Sequence, residues 1–192
     1  MTPKTTFFDL QTGFAPETES VSLKRSLSTI KSIFSNQEKA EEILSSEDRL
    51  VYEFYDLGIP EKEGNIAYGT SILYPGKVGD EFHMTKGHFH TILDTGEVYY
   101  CLKGHGMMMM ENPEGDVEYR EMRAGHSVFV PGRYAHRTIN VSDTEVFVTF
   151  FAFRADAGHD YGTVESKGFR KLVVSDGQGG YKIIDNPKWN SI

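Results

Sequence analysis

The sequence predicts an all-β domain, a sandwich or barrel, with short helices at its N-terminal end. Seven short runs rich in β-branched and aromatic residues follow one another from residue 49: RLVYEFYDL, IAYGTSILYP, GEVYYCLKG, GMMMMEN, DVEYREM, SVFVPG and EVFVTFFAF. Turn-forming clusters such as PGKVG, NPEGD and VSDTE separate them. With 39% hydrophobic and 25% charged residues in 192, the chain can bury a sizeable core.

The elements follow in chain order. Residues 1–20 show little periodicity and are expected to lie as an extended arm. Leu23, Leu27, Ile30 and Phe34 recur at three- and four-residue spacing, which predicts a short amphipathic helix. Asn36 is placed to cap a second helix through QEKAEEILSS. Residues 1–49 are thus an arm and helices packing on the barrel, and residues 50–192 are the barrel itself, one domain overall. NPEGD predicts a hairpin turn between the methionine run and VEYREM, and SDGQGG predicts a second between KLVV and YKII. Met107 to Met110 read as a strand buried on both faces, because Met fills irregular gaps and no other soft ligand accompanies them.

The formal charge, 20 − 28 = −8, argues against a general nucleic-acid binder, which needs a basic face for phosphates. A small phosphorylated substrate remains compatible, since a few hydroxyls, backbone N–H groups and one or two lysines can hold one phosphate. Cys101 is the single cysteine, so an internal disulfide and a thiolate-rich zinc site are excluded. No apolar stretch resembles a signal peptide, and VFVTFFAF is too short to span a bilayer as a helix. A cytoplasmic protein without membrane partners is expected.

KGHFHTILDTGEVYYCLKG carries His88, His90 and Glu97. On a strand His88 and His90 point the same way, and Glu97 shares a face with Tyr99 and Cys101. If TILDTG is a turn between adjacent antiparallel strands, the carboxylate reaches both imidazoles. In GHSVFVPGRYAHRTIN, Pro131 and Gly132 make a turn and His136 opens the following strand. Three imidazoles and one carboxylate suit a borderline divalent ion and can leave positions open for substrate oxygens. His83, His105 and His126 read as ordinary core or surface residues. Thr85, Lys86 and the Gly87 N–H beside the first ligand are plausible phosphate donors. GHDYG adds an imidazole, His159, and a phenol, Tyr161.

The two histidine segments resemble the two motifs of the cupin superfamily, a β-barrel or jelly-roll architecture. The first motif, G-x5-H-x-H-x3,4-E-x6-G, is met by His88, His90, Glu97 and Gly104, with six residues before the glutamate and Phe82 at the first glycine. The second, G-x5-P-x-G-x2-H-x3-N, is met by Gly125, Pro131, His136 and Asn140, with Arg133 at the second glycine. With LYPGKVG, TKGHFH, AHRTIN, DAGHDYGT and DNPKW, the chain from Tyr52 to Trp189 resembles the cupin-type glucose-6-phosphate isomerases.

That resemblance implies a metal held by His88, His90, Glu97 and His136. It implies substrate contacts at Tyr52, Ser71, Thr85, Gly87, Tyr99, His159 and Tyr161, with Ser71 keeping the hydroxyl of the expected threonine. Lys86 joins the substrate-binding set, and Glu97, His159 and Tyr161 form the catalytic one. One divalent ion per subunit is expected, Fe(II) first, with Mn(II), Ni(II) or Zn(II) as alternatives. The implied activity is aldose–ketose isomerisation of glucose 6-phosphate and fructose 6-phosphate, in a homodimer. The rival readings are an iron-dependent cupin dioxygenase and a non-catalytic sugar-phosphate-binding cupin.

Overall fold

The structure, a computed structural model, describes residues 21–189 together with 2, 5–10, 12 and 13. The predicted arm over residues 1–20 falls mostly outside the described residues.

Thirteen strands and three short α-helices follow in order among the described residues. These are β1 (Val21–Ser26), α1 (Leu27–Ile30), α2 (Gln37–Leu44), β2 (Leu50–Asp56), β3 (Ile66–Leu73), β4 (Lys77–Val78), β5 (Glu81–Phe82) and β6 (Glu97–Lys103). Then come β7 (His105–Glu111), β8 (Val117–Arg123), β9 (Ser127–Val130), β10 (Ala135–Asn140), β11 (Phe147–Arg154), α3 (Gly162–Lys167), β12 (Lys171–Ser175) and β13 (Tyr181–Asp185). One sheet runs β1-β2-β3-β11-β6-β9, a second β10-β7-β8 and a third β13-β12-β5-β4. The chain leaving β5 continues along the free edge of β10 through bridges Met84–Ile139 and His88–His136, which joins the two smaller sheets into one wall. Tyr52, Leu73, Tyr99 and Cys101 of the large sheet share one buried cluster with Phe82, Met84, Met108 and Ile139 of that wall. The architecture is the all-β barrel of jelly-roll type that the sequence predicts.

Three sequence expectations are met at the level of hydrogen bonds. The Asn36 side chain accepts from Lys39 N at 2.9 Å, so α2 is capped as expected. Asn112 Oδ1 accepts from the backbone N–H groups of Gly115 and Asp116 and closes the β7–β8 hairpin. Asp176 Oδ1 accepts from Gln178 N and Gly180 N in the β12–β13 hairpin. The first helix differs. Leu23 lies in β1, paired with Phe54, and the helix begins only at Leu27 and lasts one turn before a 3-10 turn. The three-and-four spacing of Leu23 to Phe34 is outweighed by backbone pairing of β1 onto the edge of β2, whose ladder satisfies more polar groups than a short helix.

Arg133 explains one motif departure. Its φ is 71°, the one positive value among described non-glycine residues, at the position where the family motif has glycine. Its N–H donates to Leu93 O at 2.6 Å and its guanidinium pairs with Glu114, contacts that hold a conformation side chains disfavour.

Met107 to Met110 are all buried, on alternating faces of the central strand β7. No His, Cys, Asp or Glu group suited to a metal gathers around them among the described residues. Met108, opposite Thr138 and fully buried, is therefore packing. Met108→Ala should lower the unfolding free energy by about 2–4 kcal/mol and leave bound metal unchanged; chemical unfolding and elemental analysis of one preparation check both.

Candidate metal centre and substrate pocket

β10 and β6 supply two of the metal-competent groups from opposite walls. His136 is the second residue of β10, and strand alternation turns it and Thr138 inward while Arg137 starts toward the other face. Glu97 opens β6, where Glu97, Tyr99 and Cys101 are buried and Val98 and Tyr100 are exposed, so the predicted shared face is correct.

The predicted strand pairing is not. Residues 88–90 do not pair with 97–99. β6 lies between β11 and β9, whereas His88 bridges His136 and Phe89 bridges Asp160. Glu97 therefore meets the imidazoles across the barrel interior. TILDTG is not a tight hairpin but the crossing from one wall to the other, which accounts for its extra length over the usual motif.

His88, His90, Glu97 and His136 come together, each offering one ligand atom within 4.8 Å of the others. His90 Nε2 lies 3.1 Å from Glu97 Oε2. His136 Nε2 is 2.9 Å from the same oxygen, yet it and His88 Nε2 are buried without a hydrogen bond among the described residues. The opposite ring nitrogens fix the tautomers. His90 Nδ1 donates to Gly158 O at 3.1 Å and His136 Nδ1 to Tyr134 O at 3.3 Å, since a carbonyl can only accept. Their Nε2 lone pairs are thereby aimed at the carboxylate.

Burial pushes Glu97 up, but positive charge facing it, at His136 foremost, outweighs this and holds it well below the usual carboxylate range. Burial, reinforced by His136, pushes His88 well below the ordinary imidazole range, so that ring is neutral. An ionised carboxylate and three imidazole nitrogens gathered at one buried point are mutually satisfied by a cation, and this donor set fits a divalent ion of the borderline class.

One pocket opens onto this point. Tyr52, Ser71, Thr85, Lys86, Gly87 and Tyr99 line it, as do His88, Glu97, His136, His159 and Tyr161. Every candidate site residue is there except His90, which is buried between this pocket and a neighbouring one that it lines. The His159–Tyr161 loop is tied to the ligand strand by reciprocal backbone hydrogen bonds between Phe89 and Asp160. It places the His159 ring 4.4 Å from that of His88, with Tyr161 nearly parallel to His159. Burial lowers the His159 pKa and raises that of Tyr161, so near neutrality one is an acceptor and the other a donor. Lys86 does not stand free: its ammonium pairs with Glu165 of α3 and lies 4.6 Å over the Tyr161 ring.

Other pocket residues escaped the sequence reading. Thr138 Oγ1 stands 3.3 Å from Thr85 Oγ1, and its place two residues after His136 on a strand was the available signal. α3 itself was hidden in a Gly-rich stretch. Phe153, by contrast, stands where the sequence resemblance marks a tyrosine in some family members, and lines the pocket with its ring centroid 5.2 Å from that of His90. His83, His105 and His126 lie outside the cluster: His83 Nδ1 donates to Tyr74 O, and His105 pairs with Glu121.

Comparison with known proteins agrees with this site. Residues 24–190 match the family described as glucose-6-phosphate isomerase (GPI). The glucose-6-phosphate isomerase of Thermococcus onnurineus is 46% identical over 183 residues, 95% of this chain and 94% of that protein. That of Pyrococcus furiosus is 46% identical over 181 residues, 94% of each chain. The Sinorhizobium medicae enzyme is 40% identical over 143 residues, 74% of this chain and 66% of that protein. Among solved structures, a Lactobacillus farciminis oxalate decarboxylase formate complex overlaps 59% of this chain and 32% of its own, at 19% identity and a TM-score of 0.47. A match over nearly the whole chain, with all four candidate ligands inside it, shows that the chain belongs to the glucose-6-phosphate isomerase family.

Proposed function

We propose that this chain is the metal-dependent isomerase that interconverts glucose 6-phosphate and fructose 6-phosphate, a step shared by glycolysis and gluconeogenesis. The observation that supports it best is the single pocket with a cation-demanding cluster at one end and hydroxyls, an ammonium and a glycine N–H at the other. A sugar phosphate has the matching polarity, with oxygens at C1 and C2 and an anion at C6. Relatives near 46% identity over most of the chain carry this name, which favours isomerisation over the dioxygenase and binding-only readings.

His88, His90, Glu97 and His136 are proposed as ligands to one divalent ion per subunit, with Fe(II) the first choice. When bound, the ion supplies Lewis-acid polarisation of the sugar's carbonyl and hydroxyl oxygens. Tyr52, Ser71, Thr85, Lys86 and Gly87 hold the phosphate end, and Tyr99 stands over the sugar beside Glu97. His159, neutral, accepts the hydroxyl proton during ring opening, and Tyr161, protonated, donates to the ring oxygen. Glu97, nearest the reacting carbons, takes the C2 proton and returns it to C1.

A homodimer fits the outer face of the six-stranded sheet. Val98 and Phe129, direct cross-strand partners, are exposed there with Tyr100, forming an apolar patch that a second copy would cover. Phosphorylated sugars do not cross bilayers unaided, which favours a cytoplasmic reaction. No helix among the described residues is long and apolar enough to cross a membrane.

Exhaustive chelation should abolish isomerase activity, and added Fe(II), Mn(II), Ni(II) or Zn(II) should restore it to different degrees. His88→Ala, His90→Ala and His136→Ala should lose metal and activity together, by roughly 10-fold or more in affinity. His83→Ala and His105→Ala should retain both; equal metal loss across the series, read by elemental analysis, would count against the ligand set.

The proton route is read from the fate of deuterium at C2. Turnover in ordinary water should release a substantial part of the label to solvent, and Glu97→Gln should block that release. Full retention of label at C1 across pH would leave Glu97 as a ligand alone and assign the step to a direct hydride shift.

A further inference from the structure

Arg137 follows His136 on β10; alternation starts its side chain toward the other face, yet it is 3% exposed and lines the pocket as well as a neighbouring cavity beside Phe169. Among the described residues no carboxylate forms an ion pair with it; Glu81 and Glu111 influence it only from further away. Its Nη2 donates to Lys86 O at 2.7 Å, its Nη1 contacts Met84 Sδ at 2.8 Å, and its guanidinium lies 3.9 Å from the centre of the Phe169 ring. Nε has no partner among the described residues. Burying a guanidinium without a carboxylate costs several kcal/mol, so its retention calls for a return elsewhere.

That return lies in the peptide Arg137 grips. The Lys86–Gly87 bond is trans, as are all the described peptide bonds, so Lys86 C=O and Gly87 N–H point in opposite directions. With the carbonyl held by Arg137, the N–H of Gly87 is fixed in the opposite direction. Gly87 is buried, lines the pocket, and its N–H makes no hydrogen bond among the described residues. A buried donor without a partner is rare in proteins and marks a place where a ligand completes the set. The other side of this peptide is equally fixed. Gly87 has a φ of 78°, and a Cβ there would stand 2.8 Å from the Phe169 ring and 3.0 Å from His136 O. Phe169 is thus pressed between Gly87 and the guanidinium.

We propose that Arg137 is a positioning residue for the anionic end of the substrate: it fixes Lys86 C=O so that the Gly87 N–H, on the other side of that peptide, is presented, already aligned, to the phosphate. This rests on the reading of the Thr85–Gly87 end as the phosphate site. Lysine at 137 cannot do the same work, because one ammonium cannot bond the carbonyl and cover the Phe169 face with a planar fork.

The test uses zinc-loaded enzyme, wild type, Arg137→Met and Arg137→Lys, with inorganic phosphate as the probe. In wild type the Gly87 amide resonance should move as phosphate is titrated. In both variants that movement should shrink, and KM for glucose 6-phosphate should rise about tenfold, the equivalent of one charge-assisted hydrogen bond. kcat should stay within about twofold and zinc content should not change. Should Arg137→Met fail to fold, Arg137→Lys, which keeps the buried charge, carries the same readouts. A wild-type Gly87 amide indifferent to phosphate overturns the reading of the phosphate end and the proposal with it. A normal wild-type response that persists in the variants, with KM unchanged, overturns the proposal alone. So does a variant that loses zinc, kcat and KM together, since that is the mark of a structural role.

Discussion

At the bottom of the barrel, imidazole lone pairs and a carboxylate oxygen are driven toward one point. His90 and His136 spend their Nδ1 protons on backbone carbonyls, which leaves Nε2 of both rings against Glu97 Oε2. Glu97, His90 and His136 are buried there, so little water reaches them to relieve the crowding of negative partial charge. Positive charge at that point turns mutual repulsion into shared attraction, and the rest of the architecture can be understood as what holds these groups in place until it arrives.

Each wall contributes something the other cannot. The β10 wall brings His136 and, along its edge, His88 and His90, while the six-stranded sheet brings Glu97 and Tyr99 from the far side. Because the four candidate ligands belong to opposite walls, an ion held by them would also clasp the barrel, and its removal should then loosen the interior as well as the chemistry. His159 and Tyr161, the proposed acid–base pair, are delivered separately, on a loop stitched to the His88–His90 segment through Phe89 and Asp160. His159 can therefore sit beside His88 without being a ligand. α3 then folds Glu165 onto Lys86, so the one ammonium of the phosphate end is held at the pocket rim when substrate is away.

Much of this was legible in the sequence because it rests on local rules. The alternation of Glu97, Tyr99 and Cys101, the hairpins at NPEGD and SDGQGG, the Asn36 cap and the buried methionine strand all follow from spacing and turn chemistry. The clustering of His88, His90, Glu97 and His136 was legible for the same reason, as His-x-His and a later His-x3-Asn place imidazoles on inward faces. What the sequence hid was non-local. Nothing in TILDTG distinguishes a hairpin from a crossing between sheets, so the partner of 88–90 was misassigned. Nor does Leu23 reveal that an edge strand will claim it from a helix. Arg137 was passed over because alternation from His136 points it away from the site. Its influence runs through a peptide plane, which one-dimensional spacing does not show.

The most direct measurement is anomalous diffraction from crystals of the active, iron-loaded enzyme, recorded on both sides of the metal absorption edge. A single strong peak per subunit should lie about 2.0–2.3 Å from Nε2 of His88, His90 and His136 and from a Glu97 carboxylate oxygen. Fully active crystals with no peak between those four side chains, or with the metal bound elsewhere, would contradict the account.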